Sequence, residues 1–255
     1  MELFDSHAHY NDEKFENDRD DLIKSIYNSG ITKIVNAGYS IESSKKAVEI
    51  SEKYEFVYAT VGVSPNDIEN LDNNYISKIE EMAQHKKVVA IGEIGLDYYW
   101  NKENKEEQKE VFIRQIELAN KLNLPIVIHT REAVMDTIDI LKNKIECTKK
   151  GVFHCCPLNV ELVKEALKLG FYISFAGPVT FKNSKNASQI IEMVPIDKIL
   201  VETDSPYLSP EPIRGTRNDS RNVKYIAQKI AEVKNMSLEE VAMQTYKNAK
   251  MIFNI

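Results

Sequence analysis

Residues 88–131 decide the fold. They open with Val88-Val89-Ala90-Ile91-Gly92-Glu93, continue as Lys105-Glu106-Glu107-Gln108-Lys109-Glu110-Val111-Phe112-Ile113-Arg114-Gln115-Ile116-Glu117-Leu118-Ala119-Asn120-Lys121-Leu122, and close with Pro125-Ile126-Val127-Ile128-His129. Val88–Ile91 and Pro125–Ile128 are short apolar runs rich in β-branched residues, which reads as strand. Between them, Lys105–Leu122 repeats its apolar positions at helical spacing, Val111, Phe112, Ile116 and Ala119 among them. The segment is a strand, a helix and a strand, with an acid closing the first strand and a histidine ending the second.

The same alternation runs in both directions from this unit. Strand-like runs lie at Leu3–Phe4, Lys33–Asn36, Phe56–Val61, Gly151–Phe153, Phe171–Phe175 and Ile199–Val201, making eight in all. Helical spacing recurs at Ser43–Lys53, Tyr75–His85, Leu162–Leu169 and Ser237–Ala249, where Ser237 and Glu240 form a capping-box pattern. Over 255 residues this gives about 32 residues per unit, the size of one strand plus one helix. A single α/β domain over residues 1–255, folded as a (β/α)8 TIM barrel, is the expectation, with an open doubly wound sheet as the competing architecture. No linker, charge block or compositional shift divides the chain.

Composition narrows the function classes. The chain is 43% hydrophobic and 28% charged, ordinary for a globular protein, and its net charge of −6 argues against coating nucleic acid or an anionic membrane with the whole surface. A local basic patch or a metal-centred phosphate site stays open. Three cysteines, two of them adjacent at Cys155 and Cys156, make no disulfide framework and suit reduced thiols in a cytoplasmic protein. No apolar run approaches the ~18–20 residues of a membrane helix, and the N-terminus lacks the pattern of a secretory signal. A monomer without an obligate protein partner is expected.

Four of the five histidines sit at strand ends: His7 and His9 after the first strand, His129 after the fifth, and His154 after Gly151-Val152-Phe153. The fifth, His85, lies in a polar helical segment and reads as a surface residue. Glu93 and Asp204 share the strand-end placement. His7 and His9, two apart on a strand, project to one side. In a barrel the C-terminal ends of the strands carry the active site. Nitrogen and oxygen donors alone leave the metal open among Zn, Mg and Mn. Six candidate ligands exceed one tetrahedral ion, so two divalent cations with Glu93 between them is the natural reading. Two cations about 3.5–4 Å apart suit phosphate-ester hydrolysis.

Several stretches give the chain a specific resemblance. Phe4-Asp5-Ser6-His7-Ala8-His9, Gly92-Glu93-Ile94-Gly95-Leu96-Asp97-Tyr98, Pro125-Ile126-Val127-Ile128-His129-Thr130-Arg131, Val152-Phe153-His154-Cys155, Glu202-Thr203-Asp204-Ser205-Pro206 and Arg214-Gly215-Thr216-Arg217-Asn218 follow one another in this order. Together they resemble the TatD family of metal-dependent deoxyribonucleases, within the amidohydrolase-like TIM-barrel superfamily. The resemblance implies one metal on His7, His9, Glu93 and Asp204, and a second on Glu93, His129 and His154. Glu93 then bridges, where the wider superfamily often uses a carboxylated lysine, and Asp204 orients or deprotonates the attacking water. The chain departs from the family pattern at Gly62-Val63-Ser64-Pro65, where histidine is common in place of Ser64, and at Cys155-Cys156-Pro157-Leu158.

Arg131, two residues past His129, is a candidate phosphate clamp, with an ion pair to Glu132 or Asp136 as its structural rival. Arg217 is a second substrate-binding candidate, and Tyr98-Tyr99-Trp100 a candidate base-stacking cluster. The expected activity is two-metal hydrolysis of DNA, as a 3′-to-5′ exonuclease on single-stranded or frayed ends. An alternative keeps the metals and changes the bond, to ester or amide hydrolysis such as deacylation of D-aminoacyl-tRNA. A binding module without chemistry fits poorly with so complete a ligand set.

Overall fold

Among the described residues, the β-branched runs become eight parallel strands, each followed by helical chain. The computed structural model describes residues 1–69 and 71–255. In order they are β1 (Leu3–Ala8), α1 (Arg19–Asn28), β2 (Ile31–Ala37), α2 (Ile41–Lys53), β3 (Val57–Val61), α3 (Tyr75–Ala83), β4 (Val88–Asp97), α4 (Lys105–Leu122), β5 (Ile126–Arg131), α5 (Val134–Asp139), β6 (Val152–Phe153), α6 (Val160–Lys168), β7 (Tyr172–Phe175), α7 (Ala187–Met193), β8 (Ile199–Val201), α8 (Val223–Lys234) and α9 (Leu238–Phe253). Each strand pairs in parallel with the next in sequence, from β1 to β8. The ring closes where β1 meets the chain leaving β8: the Asp204 amide donates to the His7 carbonyl (2.9 Å) and the His9 amide to the Ser205 carbonyl (2.7 Å). This is the (β/α)8 barrel, not the open sheet.

Two apolar clusters hold it. The larger joins the strands to the surrounding helices, with Ile34, Ile79, Phe112, Ile116, Val163 and Ile190 fully buried. The smaller gathers Phe4, Val35, Val89, Val127, Val152 and Leu200, mostly from the early parts of their strands, against Ala249 and Phe253 of α9. The Phe4 ring lies 6.2 Å from Phe253 and 5.7 Å from Tyr246 between centroids. The last helix therefore packs against the end of the barrel opposite the histidines. Its start is fixed by the capping box of Ser237 and Glu240.

Several strands run further than their apolar runs. β1 continues to Ala8, β4 to Asp97 and β5 to Arg131, so His7, Glu93 and His129 lie within strands and not beyond them. β4 shifts register against β5 between Ile91 and Ile94. Gly95 adopts φ +146°, and a Cβ there would stand 1.9 Å from the His129 carbonyl oxygen, so only glycine lets β4 and β5 approach at this level.

Candidate active site

Glu93 stands between two sets of ligand-type atoms. Its Oε2 is 3.4 Å from His7 Nε2 and 3.6 Å from His9 Nε2, and Asp204 Oδ1 joins the same group at 3.7 Å from His7 and 3.2 Å from His9. Its Oε1 is 2.9 Å from His129 Nδ1 and 3.3 Å from His154 Nε2. The two imidazoles within each set face one another nitrogen to nitrogen, at 3.1 Å for His7–His9 and 3.1 Å for His129–His154. His7, His9, Glu93 and His154 are buried, and Asp204 and His129 half-buried. All six residues come together, from β1, β4, β5 and the segments after β1, β6 and β8.

The far sides of two of the four rings are held by acceptors. His9 Nδ1 donates to the Ala37 carbonyl (3.0 Å), and His129 Nε2 to Asp97 Oδ2 (2.9 Å). His154 Nδ1 lies 3.3 Å from Glu202 Oε1, which also accepts from the Cys155 amide at 2.6 Å. A ring proton committed outward turns the lone pair of the other nitrogen toward the centre. His7 Nδ1 and His154 Nδ1 are both buried without a hydrogen-bond partner among the described residues, the Glu202 carboxylate standing beside His154 as a charge contact, and the His7 ring stacks on His154 at 4.0 Å.

These separations suit cations. Two ligand atoms each about 2.0–2.1 Å from a tetrahedral ion stand roughly 3.3 Å apart. Facing imidazole nitrogens this close, one of each pair with its other nitrogen pinned outward, suit a shared proton or a cation between them. His7, His9 and Asp204 form one group that could hold an ion, and Glu93, His129 and His154 another. The residues present thus fit a centre of nitrogen and oxygen ligands.

The electrostatics agree. Burial alone would raise the Glu93 carboxyl, but the neighbouring His154 charge and contacts with His129, His154 and His7 outweigh it and hold the group well below the usual carboxylate range. Burial is likewise overcome at Asp204, which His9 holds low. Burial would lower the histidines, yet His9 is raised by Asp204 and Glu93, His129 by Asp97 and Glu93, and His154 strongly by Glu93 and Glu202. His7 alone is lowered, by burial and the His154 charge. Without a cation the cluster draws protons onto its imidazoles to balance its carboxylates.

The cluster floors a cavity of about 820 Å³ whose lining includes Tyr39, Asp67, Trp100, Arg131, Cys155, Leu158 and Tyr207. Arg131 reaches this mouth, and among the described residues it has no carboxylate within 4.0 Å. Glu132 pairs with Lys102 and Asp136 with Lys109, so neither of its sequence rivals takes it. The Arg131 guanidinium instead lies 3.7 Å from the Tyr99 ring centroid. Arg217 goes elsewhere: it pairs with Asp18 through both its terminal nitrogens and donates to the Lys14 carbonyl, outside the cavity lining. Its expected substrate role thus finds no place in the lining of this cavity. His85 sits apart, 3.1 Å from Glu52.

Three features were not legible as site residues. Asp97 and Glu202 are buried acids behind His129 and His154, and strand-end carboxylates look alike until their partners on other strands are known. Asp5 is buried beneath the site and accepts from the Thr203 amide (2.9 Å), the Thr203 hydroxyl (2.6 Å) and the Ser220 hydroxyl (2.6 Å), tying β1 to the chain after β8. At the departure from the family pattern, the Ser64 hydroxyl donates to Asp67 Oδ2 at 2.7 Å, placing a carboxyl in the cavity wall. Burial raises the Cys155 thiol far above its ordinary value, with Asp204 and Glu202 adding to it, which opposes a thiolate.

Known proteins share both sequence and fold. A family model described as TatD related DNase matches residues 4–254. The chain is 44% identical over 253 residues to the uncharacterized metal-dependent hydrolase YabD of Bacillus subtilis, covering 99% of each. It is 35% identical over 258 residues to the uncharacterized metal-dependent hydrolase YcfH of Escherichia coli K12, covering 100% of this chain and 97% of that one. Among solved structures, the TatD homolog YjjV of Escherichia coli K12 superposes with a TM-score of 0.93 at 24% identity, over 99% of this chain and 98% of that one, which speaks to the fold.

Proposed function

The chain belongs to the TatD family of metal-dependent hydrolases, and from that premise we propose that it cleaves phosphodiester bonds of DNA with two divalent cations, acting from the 3′ end of single-stranded or frayed strands. The observation that carries the two-cation reading is the division of Glu93: each carboxylate oxygen faces its own set of ligand atoms. His7, His9, Asp204 and Glu93 Oε2 would hold one cation, and His129, His154 and Glu93 Oε1 the other, with Zn, Mg and Mn all compatible with these donors. When bound, such a pair supplies Lewis acidity that acidifies water and offsets phosphate charge.

The chain's own residues do the rest. Asp204 turns Oδ1 toward His9, and among the described residues its Oδ2 makes no hydrogen bond. That oxygen is the base that orients the attacking water and takes its proton. Arg131, held over Tyr99 with free donors, offers a bidentate contact to a phosphate at the mouth. Asp97 keeps His129 turned inward, and the Glu202 carboxylate stands 3.3 Å from the outward nitrogen of His154. A cavity at the mouth of a small barrel favours a strand end over an intact duplex.

Elemental analysis paired with cleavage of 3′- and 5′-labelled single-stranded DNA tests the reading. Two metal equivalents and shortening from the 3′ end are expected. Glu93→Gln, which keeps the shape and removes the shared charge, should lower metal stoichiometry and nearly abolish cleavage; full activity would exclude the bridge. Arg131→Ala should leave bound metal unchanged while weakening transition-state stabilisation by about 2–4 kcal/mol, or roughly 10²–10³ in rate. Unchanged turnover in that variant would remove Arg131 from the site.

A further inference from the structure

Trp100 is the only tryptophan of the chain, it is 68% exposed, and it sits on the rim of the active-site cavity. It also lines a second, smaller cleft of about 390 Å³ beside Asn66, Asn101 and Asn104. Trp100 and Asn66 thus border both spaces. The loop that carries it is built into the site. Asp97, whose Oδ2 holds His129, accepts the amides of Tyr99 (2.9 Å) and Trp100 (3.2 Å) on its Oδ1. Buried Gln108 of α4 clamps the same turn, accepting from the Asp97 amide at 2.9 Å and donating to the Asp97 carbonyl at 3.0 Å. One carboxylate thus sets both a histidine of the centre and the position of the indole.

Tyr99 and Arg131 stand beside the indole, and most of it stays open, at 68% exposure. Tyr99 meets Trp100 edge-on, with ring planes at 86°, and gives its face to Arg131. The guanidinium stands further from Trp100, at 5.5 Å. A large aromatic ring this exposed at the rim of a cavity, with its backbone amide pinned, offers a flat surface that a planar partner can cover. The same mouth carries a guanidinium with unspent donors, so the partner is flat and attached to an anion.

We infer that Trp100 is a specificity-determining residue that stacks a nucleobase of the substrate strand, while Arg131 beside it takes a phosphate and the side cleft receives the adjoining nucleotide. The inference rests on the proposed nucleic-acid substrate and adds which part of it is gripped. Because every base has a π-face, such a grip tolerates sequence and rejects strands without bases.

The single tryptophan makes the test direct. The metal-loaded protein is titrated with deoxyguanosine 5′-monophosphate and, separately, with deoxyribose 5-phosphate, following tryptophan emission. A saturable change with the nucleotide and none with the sugar phosphate is expected; equal responses, or no response to either, overturn the stacking. In parallel, two single-stranded oligonucleotides are compared that differ only in a base or an abasic residue next to the 3′-terminal phosphodiester. In Trp100→Ala the preference for the base-bearing strand should fall by about 5- to 150-fold, chiefly in KM, and Trp100→Phe should restore most of it. An unaltered preference overturns the inference. Nucleotide-dependent emission with no cleavage of any DNA upholds the stacking site and sinks the nuclease reading. Cleavage with neither emission change nor base preference does the reverse.

Discussion

At the scale of single residues, Asp204 and Glu93 are both carboxylates among the same histidines, yet their placements separate their roles. Glu93 uses both oxygens within the cluster, whereas Asp204 shows one to His9 and His7 and lines the cavity with the rest. Asp204→Asn, nearly the same size, should fold and keep most of its metal, since His7, His9 and Glu93 remain. Its turnover should drop by at least about 10², the low end for losing a positioned base. Metal content and single-turnover cleavage of a short oligonucleotide measured together decide the matter. Metal lost in proportion to activity would make Asp204 chiefly a ligand. Asp204 stood out in the sequence because it closes a strand, but Asp97 and Glu202 close strands equally well. What distinguishes them is the nitrogen each one meets: Asp97 and Glu202 face the outward nitrogens of His129 and His154, Asp204 the inward nitrogens of His7 and His9. Such a pairing exists only once the barrel has closed.

At the scale of elements, all eight strands were legible because a short β-branched run survives whatever follows it. The C-terminal limits of β3, β6, β7 and β8 were legible as well, but those of β1, β4 and β5 were not, and the reason is the site itself. The last residues of β1, β4 and β5 include Asp5, Ser6, His7, Glu93, Asp97, His129, Thr130 and Arg131, whose polarity reads as loop. The ladder continues through them because neighbouring strands still supply backbone partners, as in the pairing of Gly95 with His129 and Leu96 with Thr130. Among the helices, α4 was legible to the residue, while α5 and α7, of 6 and 7 residues, are too short to show a period. The polar extension of β4 depends on Gly95. Gly95→Ala would force a Cβ into the His129 carbonyl at a backbone angle that side chains rarely adopt. A loss of roughly 3 kcal/mol or more is expected. For a chain of this size that is about 6–12 °C in Tm. Weakened metal binding through displaced His129 should accompany it. A Tm within 2 °C of wild type, by calorimetry on the metal-free protein, would show that β4 relaxes there at no cost.

At the scale of the whole molecule, the barrel gathers His7, His9, Glu93, His129, His154 and Asp204 at one end and packs α9 against the other. The apolar clusters on the strands and helices do not depend on the centre, so the chelated protein should stay folded. Cations at 100 times their dissociation constant should then add about 2.7 kcal/mol per site, roughly 5–10 °C in Tm. The pH dependence of that gap follows from the histidines. In the metal-free protein His9, His129 and His154 have raised pKa values, so their protonated forms stabilise the fold fully below about 6.5. That contribution is lost as pH rises through the raised values. His7 is lowered, so it costs stability in acid and does not compete for the cation near neutrality. Glu93 and Asp204 are held low and stay charged across this window. Rising pH therefore strips stabilising protons from the empty centre while favouring the cations that replace them. The difference in Tm between metal-loaded and chelator-treated protein should widen from pH 6 to pH 8, and metal affinity should climb with it. Calorimetry of both forms across that range, with a zinc or manganese titration at each pH, provides the check. A gap that narrows on going alkaline would mean that the histidines are not where the cations bind.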